Sequence, residues 1–563
     1  MRLLRRLTLS LVGGLLLWSG HAPLDWGLAG AVALVPLLLL AEDVARDRNP
    51  LRAGFGWGCL AGLVFFGLLI RWLVPFGYVP WGLLTVIQAT SVGAYVAGVA
   101  LWGRRRCRAV VAVVWWVALE VIRSTVPLGG FGWGTLGATQ HDGGMLLPMA
   151  RLLGVYGVSA LCAAIAVTLA RMVGAVAEIR DRRQGSRTPP VRNPSHPAST
   201  ASRPPEVPRI AHIPGAQSAP PGPSQASGTP AVGAGTRRLL PAAGALAAVL
   251  AVAGLAGLVS PPAPSGASID IAGVQAEGLQ ASGAAGINRI STERIVRVAE
   301  QMVDATRPLA DDPPELTVWP ENSLDADVTD PDNELVRAQL AAGLELVDGG
   351  PMLVGGLLDG PRPGTLFNTL MVVDEDGIRL GYRKRQPVPF GEYVPARRYL
   401  DWFPPLEQLP TDILASPDGP QVIEVAGASV GGVICFENAF PYLVRSQVRA
   451  GADVLVVATN NASFGRSAMP SQHLAQSQLR AVETGRHLLH AGVSGVSALI
   501  DPSGDVRQRT EIFEAAIVRD ELPLVEGDTV ATRLGQLPAL TVLVLSALGV
   551  AWLLLAELRR ARG

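Results

Sequence analysis

Gly431-Gly432-Val433-Ile434-Cys435-Phe436-Glu437-Asn438 is the stretch on which the reading of this chain turns. Val430 to Ile434 is an apolar, largely β-branched run that stops at a thiol, a carboxylate and an amide. Such a run predicts a buried strand up to Ile434. The glycine pair predicts a place where another backbone comes close. The strand then delivers the Cys435 thiol at its carboxyl end, where sheet enzymes hold reactive groups. A lone cysteine is ordinarily a small core residue. The polar flank, and the motifs found elsewhere, reverse that preference here.

The remaining cysteines, Cys59, Cys107 and Cys162, lie in or beside apolar stretches of the first third, so Cys435 has no evident disulfide partner and a free thiol is expected. Lys plus Arg and Asp plus Glu are both 47, a balance that gives no sign of a nucleic-acid partner. The mean hydropathy of +0.32 is high, and the apolar residues are concentrated in blocks, as membrane spans require.

Those blocks run from about Leu7 to Trp18, Leu24 to Leu40, Ala53 to Trp72, Trp81 to Trp102, Val110 to Ile122, Leu152 to Val173, Leu239 to Val259 and Leu537 to Leu555. A span needs roughly 20 apolar residues, so the first and fifth are short. Arginines fall in every second connection: Arg2, Arg5 and Arg6; Arg46, Arg48 and Arg52; Arg104 to Arg106 with Arg108; Arg180, Arg182, Arg183 and Arg187; Arg237 and Arg238; Arg559, Arg560 and Arg562. By the positive-inside rule these connections are cytoplasmic, which predicts eight spans, both termini inside and the long segment near 260–533 outside. Glu120 and Arg123, three apart near a span end, are placed to pair on one helix face. Phe131-Gly132-Trp133-Gly134 reads as an interfacial loop with an aromatic anchor.

The expected division is residues 1–175 for the first six spans, 176–236 for a linker, 237–260 for the seventh, 261–533 for an outer domain, and 534–563 for the eighth with its basic tail. The linker is rich in Pro, Ser, Ala and Gly, a composition that cannot bury a core and reads as a disordered cytoplasmic segment. From Ser268 short strands alternate with helices, which predicts an α/β domain. Ile269–Gln275, Leu316–Trp319, Met352–Leu358, Leu366–Val373, Ile378–Arg383 and Ala452–Ala458 read as strands; Ile290–Ala305 and Met469–Thr484 read as helices.

Three strand ends carry chemistry: Trp319-Pro320-Glu321-Asn322, Tyr382-Arg383-Lys384-Arg385 and Ile434-Cys435-Phe436-Glu437. A carboxylate, a lysine and a thiol suit covalent acyl transfer. A free thiol is mostly protonated at neutral pH and needs a base or a cation to become a nucleophile. Glu321 is the candidate base for Cys435. Lys384, with the backbone N–H after the cysteine, is the candidate oxyanion stabiliser.

A Glu-Lys-Cys set in this chain order resembles the nitrilase superfamily. The run Val388-Pro389-Phe390-Gly391-Glu392-Tyr393-Val394-Pro395 resembles its membrane-fused branch, the apolipoprotein N-acyltransferases. The resemblance implies an α-β-β-α sandwich joined to an eight-helix transmembrane part. It implies catalytic Glu321, Lys384 and Cys435, support from Glu392, Phe436 and Glu437, and no metal or cofactor. It implies a phospholipid acyl donor, a diacylated lipoprotein acceptor, and a multi-pass place in the bacterial cytoplasmic membrane with the catalytic domain on the outer face. Phe436 stands where the family often has Tyr, and Ser463 where it often has Trp. The apolar group Tyr399 to Leu406, centred on Trp402 and Phe403, suits an interfacial arm near the site mouth. A membrane-tethered amidase with water as acceptor is the alternative reading. A Cys-His hydrolase using His473, His487 or His490 would leave the Glu321 and Lys384 motifs unexplained.

Overall fold

The computed structural model describes residues 1–103, 105, 107–185, 234–278, 292–399 and 411–562. Most of the 176–236 linker, and the arm residues Trp402 and Phe403, lie outside the described residues. Two units result: Met1–Ala170 with Leu246–Gly563, and Arg171–Ala245.

Among the described residues eight α-helices come before the sheet domain: α1 (Arg2–Ser19), α2 (Gly27–Val32), α3 (Leu34–Val44), α4 (Pro50–Leu69), α5 (Tyr78–Trp102), α6 (Arg108–Arg123), α7 (Ala150–Gly185) and α8 (Ala234–Gly257). Among the described residues six segments are long and apolar enough to cross a membrane: Gly27–Val44, Pro50–Leu69, Tyr78–Trp102, Leu147–Arg180, Leu239–Gly257 and Leu537–Ala556. The two short blocks of the sequence fall outside that set. One forms α1, which opens with Arg2, Arg5 and Arg6, and the other forms α6, only 16 residues long.

The sheet domain follows with β1 (Pro264–Gln275), α9 (Thr292–Thr306), β2 (Leu316–Leu324), α10 (Glu334–Leu346), β3 (Met352–Asp359), β4 (Thr365–Asp374), β5 (Gly377–Arg383), β6 (Asp412–Ile413), β7 (Val422–Val425), β8 (Ala428–Ile434), α11 (Pro441–Arg449), β9 (Val454–Thr459), α12 (Met469–Thr484), β10 (Leu488–Gly492), β11 (Ala498–Ile500), β12 (Val506–Arg509), β13 (Ala516–Val525) and α13 (Val530–Leu534). The terminal helix α14 (Leu537–Arg562) returns to apolar sequence.

One sheet has the order β13-β1-β2-β3-β4-β5, with β6 beside β4, and the other has β12-β11-β10-β9-β8-β7. Their inner faces share one core, in which Val318, Leu370 and Val372 meet Val430, Ile434 and Val456. The outer face of the first sheet, with Trp319, Val354 and Met371, is covered by α9 and α10. That of the second, with Val433, Leu455 and Val457, is covered by α11 and α12. Alternate residues of β9 therefore enter different cores. Both faces are dry, which is why these strands read as unbroken apolar runs rather than polar-apolar alternation. This is the expected α-β-β-α sandwich.

Two expectations change in detail. The glycine pair in β8 makes room for side chains, not backbone. A Cβ at Gly431 would meet Ala452 Cβ and Leu455 Cδ2 at 2.8 Å, and one at Gly432 would meet Leu370 Cδ1 at 2.7 Å. Strand β2 also runs past Trp319 to Leu324; its pairing with β3 shifts register between those residues, and Asn322 takes φ 61°. Such irregularities re-aim a side chain. Here the reaimed residue is Glu321, and β3 approaches so closely that a Cβ on Gly355 would lie 2.3 Å from Pro320 O.

Candidate active site

Four sequence-predicted groups converge at the carboxyl ends of the central strands. Lys384, the first residue after β5, is 1% exposed; its Nζ donates to Glu321 Oε1 at 3.0 Å and Glu392 Oε1 at 2.7 Å. The Asn368 amide donates to Glu321 Oε1 at 2.7 Å, and the Asn460 N–H to Glu321 Oε2 at 2.9 Å. Val388 N–H holds the other oxygen of Glu392 at 2.7 Å. Every carboxylate oxygen thus has a donor, as buried charges require. Burial, the largest influence on Lys384, pulls its pKa down, but the charges of Glu321 and Glu392 outweigh it and the ammonium is held well above its ordinary value. The lysine is a fixed cation.

Cys435 joins this cluster from β8. It is 9% exposed and sits at φ 51°, a left-handed conformation unusual for a side chain with a Cβ, where the strand turns into a short 3-10 helix, Cys435–Ala439. Burial first, then the Glu321 charge, push its thiol up to about 12; Lys384 and the Thr459 hydroxyl pull the other way. The resting sulfur is therefore a neutral thiol, and its proton must leave during attack. Glu321, in the same cluster, is the candidate acceptor.

Glu437 stands below the site instead of facing it. It is fully buried, and its carboxylate accepts from Ile434 N–H at 2.8 Å, Arg385 N–H at 2.7 Å, Gln386 N–H at 3.0 Å and Tyr382 Oη at 2.9 Å. It ties the end of the nucleophile strand to the loop that carries Lys384. Burial raises its pKa, and those donors work against the rise.

His473 comes close, but not as a base for sulfur. Its Nε2 bonds the main-chain oxygen of Cys435 at 3.0 Å and its Nδ1 faces Thr459 Oγ1 at 3.3 Å. Burial pulls its pKa to about 4, so the ring is neutral. It positions the strained cysteine. His490 bonds Ser477 Oγ one layer deeper, at 2.8 Å.

Phe436 faces the membrane helices. It stacks on Phe131 at 5.9 Å and Trp133 at 6.2 Å between ring centroids. Trp133 Nε1 and Trp72 Nε1 both donate to Gln472 Oε1, at 2.7 and 3.0 Å. The Phe131–Gly134 loop, expected at the lipid surface, is thus a wall beside the nucleophile turn. Arg123 fixes it by donating to the carbonyls of Phe131, Trp133 and Gly134. Glu120 Oε1 accepts from Leu136 N–H and Trp116 Nε1. These two charges, expected to pair with each other, instead brace the loop. Phe436, Phe440 and Leu443 share one apolar core with α3 to α7. Beside Ser463, which stands where the family often has Trp, Phe464 meets Trp72 edge-on at 5.1 Å.

Sequence reasoning missed Asn368, although an amide inside the apolar strand β4 was a signal. It marked His473 and Trp133 in other roles, as a hydrolase base and an interfacial anchor, because their partners here come from distant segments. No group of residues suited to hold a metal ion occurs among the described residues.

Residues 13–168 match the apolipoprotein N-acyltransferase N-terminal domain, and residues 280–526 match the carbon-nitrogen hydrolase family. The apolipoprotein N-acyltransferase of Mycolicibacterium smegmatis is 31% identical over 99% of this chain and 86% of its own length. The chain belongs to the apolipoprotein N-acyltransferase family. Other apolipoprotein N-acyltransferases match across nearly the whole chain. That of Caulobacter vibrioides is 28% identical over 96% of this chain and 93% of its own, and that of Geobacter metallireducens 28% over 92% and 88%. An amidase from Nesterenkonia, of the nitrilase superfamily, is similar at 18% identity with a TM-score of 0.35, covering 48% of this chain and 95% of that one. With six apolar helical segments of spanning length among the described residues, this member of the apolipoprotein N-acyltransferase family is a membrane protein.

Proposed function

We propose that the chain moves an acyl chain from a phospholipid to the α-amino group of a diacylglyceryl-cysteine on apolipoproteins, through a thioester on Cys435. The observation that carries this reading is a buried Glu321-Lys384-Glu392 cluster beside a single thiol, on a turn that shares its core with apolar helices. Cys435 Sγ attacks the ester carbonyl while its proton passes to Glu321. Lys384 Nζ and the Phe436 N–H stabilise the oxyanion. Collapse expels the lysophospholipid alkoxide, which takes the proton back from Glu321. The acceptor amine then attacks the thioester, gives its proton to Glu321, and the thiol returns. Glu392 keeps Lys384 in place throughout. The aromatic wall of Phe131, Trp133 and Phe436 keeps water from the thioester, as transfer to an amine requires. In this reading Trp402 and Phe403 contact the lipid donor.

In this reading residues 1–175, 237–260 and 534–563 make eight spans, and 261–533 faces outward from the bacterial cytoplasmic membrane, following the alternation of basic connections. An amidase would need one anchor rather than many. The test is intact mass after incubation with phospholipid alone. Cys435 should gain one acyl chain, removed by a lipopeptide amine and absent from Cys435→Ala. No adduct on folded wild-type protein would reject the mechanism.

A further inference from the structure

A second pocket, on the far side of the Lys384 loop, is lined by arginines. Lys384 and Arg385 are neighbours whose side chains diverge: Lys384 turns to Glu321 and Glu392, whereas Arg385 Nη1 donates to Ser446 Oγ at 3.0 Å. That places Arg385 on the wall of a cavity of about 360 Å³ lined also by Tyr442, Arg445, Arg449, Ala450 and Gln536. Three guanidinium groups thus share one cavity. Arg445 is 6% exposed and shares the carboxylate of Glu483 with Arg480, yet its Nε is buried with no hydrogen-bond partner. Arg449 is exposed and has no ion pair among the described residues. Arg385 likewise has no carboxylate partner there; Glu437 takes only its backbone N–H. A positive charge excess with an unsatisfied buried donor calls for an acceptor-rich anion.

Its place in the fold says which anion. Gln536 is the residue before α14, whose apolar stretch Leu537–Ala556 has no buried residue, although its Trp552 stacks on Trp102. The pocket therefore opens where the chain enters lipid, at the depth of the headgroups. The first N–H groups of α14 add positive potential there. We infer that this pocket binds the phosphate of a membrane phospholipid headgroup through Arg385, Arg445 and Arg449. The inference rests on the membrane placement of the chain and not on acyl transfer.

The test uses the full chain carrying Cys435→Ala, so that no donor is consumed, in micelles doped with phosphatidylglycerol or with diacylglycerol of the same chains. Native mass spectrometry counts retained lipid. The expected result is one retained phosphatidylglycerol beyond any held at the acyl-transfer site, whose affinity falls about tenfold or more on Arg449→Glu, and equally on Ala450→Glu, which adds a carboxylate at an exposed position of the same wall. Diacylglycerol should not be retained in a way that either variant changes. Unchanged phosphatidylglycerol retention in both variants, or diacylglycerol retained equally well, overturns the site. Displacement by inorganic phosphate at concentrations matching the lipid overturns the lipid assignment. Acylation of Cys435 in the otherwise wild-type chain is read separately. Normal acylation with no effect of Arg449→Glu on lipid retention rejects this pocket alone, and lipid retention without acylation rejects the acyl-transfer reading alone.

Discussion

Replacing Glu437 by Gln tests whether the catalytic cluster depends on a carboxylate that never touches it. Oε1 accepts from the N–H groups of Arg385 and Gln386, and Oε2 from that of Ile434, with the Tyr382 hydroxyl shared between them. A glutamine keeps one acceptor and turns an NH2 group toward backbone donors on the other side. One or two charge-assisted hydrogen bonds are lost, at roughly 1.5–3 kcal/mol each. Burial raises the Glu437 pKa, so a neutral amide recovers part of the desolvation cost. The net loss is then about 2 kcal/mol, or about 4–8 °C in melting temperature for a domain of this size. The larger effect is on rate. If the Arg385–Gln386 backbone loosens, Lys384 moves with it, and a misplacement of about 1 Å costs on the order of 100-fold. Melting in detergent and the rate of Cys435 acylation by phospholipid read the two effects. A glutamine variant that melts like wild type and acylates at the wild-type rate would refute the brace.

Lys384→Met should lower acylation by about 10²–10³ through the lost oxyanion donor. It should also destabilise by about 3–5 kcal/mol, because Glu321 and Glu392 are left as buried, uncompensated charges; a stable, active Met variant would contradict both. Because burial and Glu321 raise the Cys435 pKa, the thiolate is scarce well below pH 12. Iodoacetamide labelling should therefore climb between about pH 7 and 10 without a plateau, and Glu321→Gln should speed labelling at each pH while slowing acyl transfer. A plateau below neutrality would reverse the assignment. Trp133→Ala should cost about 3–5 kcal/mol and expose the thioester to water, read as more hydrolysis relative to amine transfer. Reporter fusions at Ser227 and Asp505 should report opposite sides of the membrane; both on one side would end the eight-span reading.

The sequence alone located the strands around the site, the candidates Glu321, Lys384 and Cys435, and the long apolar helices, because each is written in local chemistry. Buried strands must be apolar, reactive groups stand at their ends, and spans are long apolar blocks between arginines. Met469–Thr484 is a helix with the bounds read from its pattern. The glycine pair of β8 was located correctly but misjudged, since sequence does not say whether a side chain or a backbone fills the space. What joins distant segments was decided only by the tertiary structure. Glu120 and Arg123 have the spacing of an ion pair, yet the loop at 131–136 offers three carbonyls and an N–H that satisfy them instead. Glu437 reads as a site carboxylate by its place beside Cys435. Its partners come from β5 and the loop beyond, about 50 positions away, and they turn it into the brace beneath the site. The same reason hides Gln472, which holds Trp72 and Trp133 from 400 and 339 positions along the chain. A hydrogen bond depends on distance in space, and only the folded chain sets that distance.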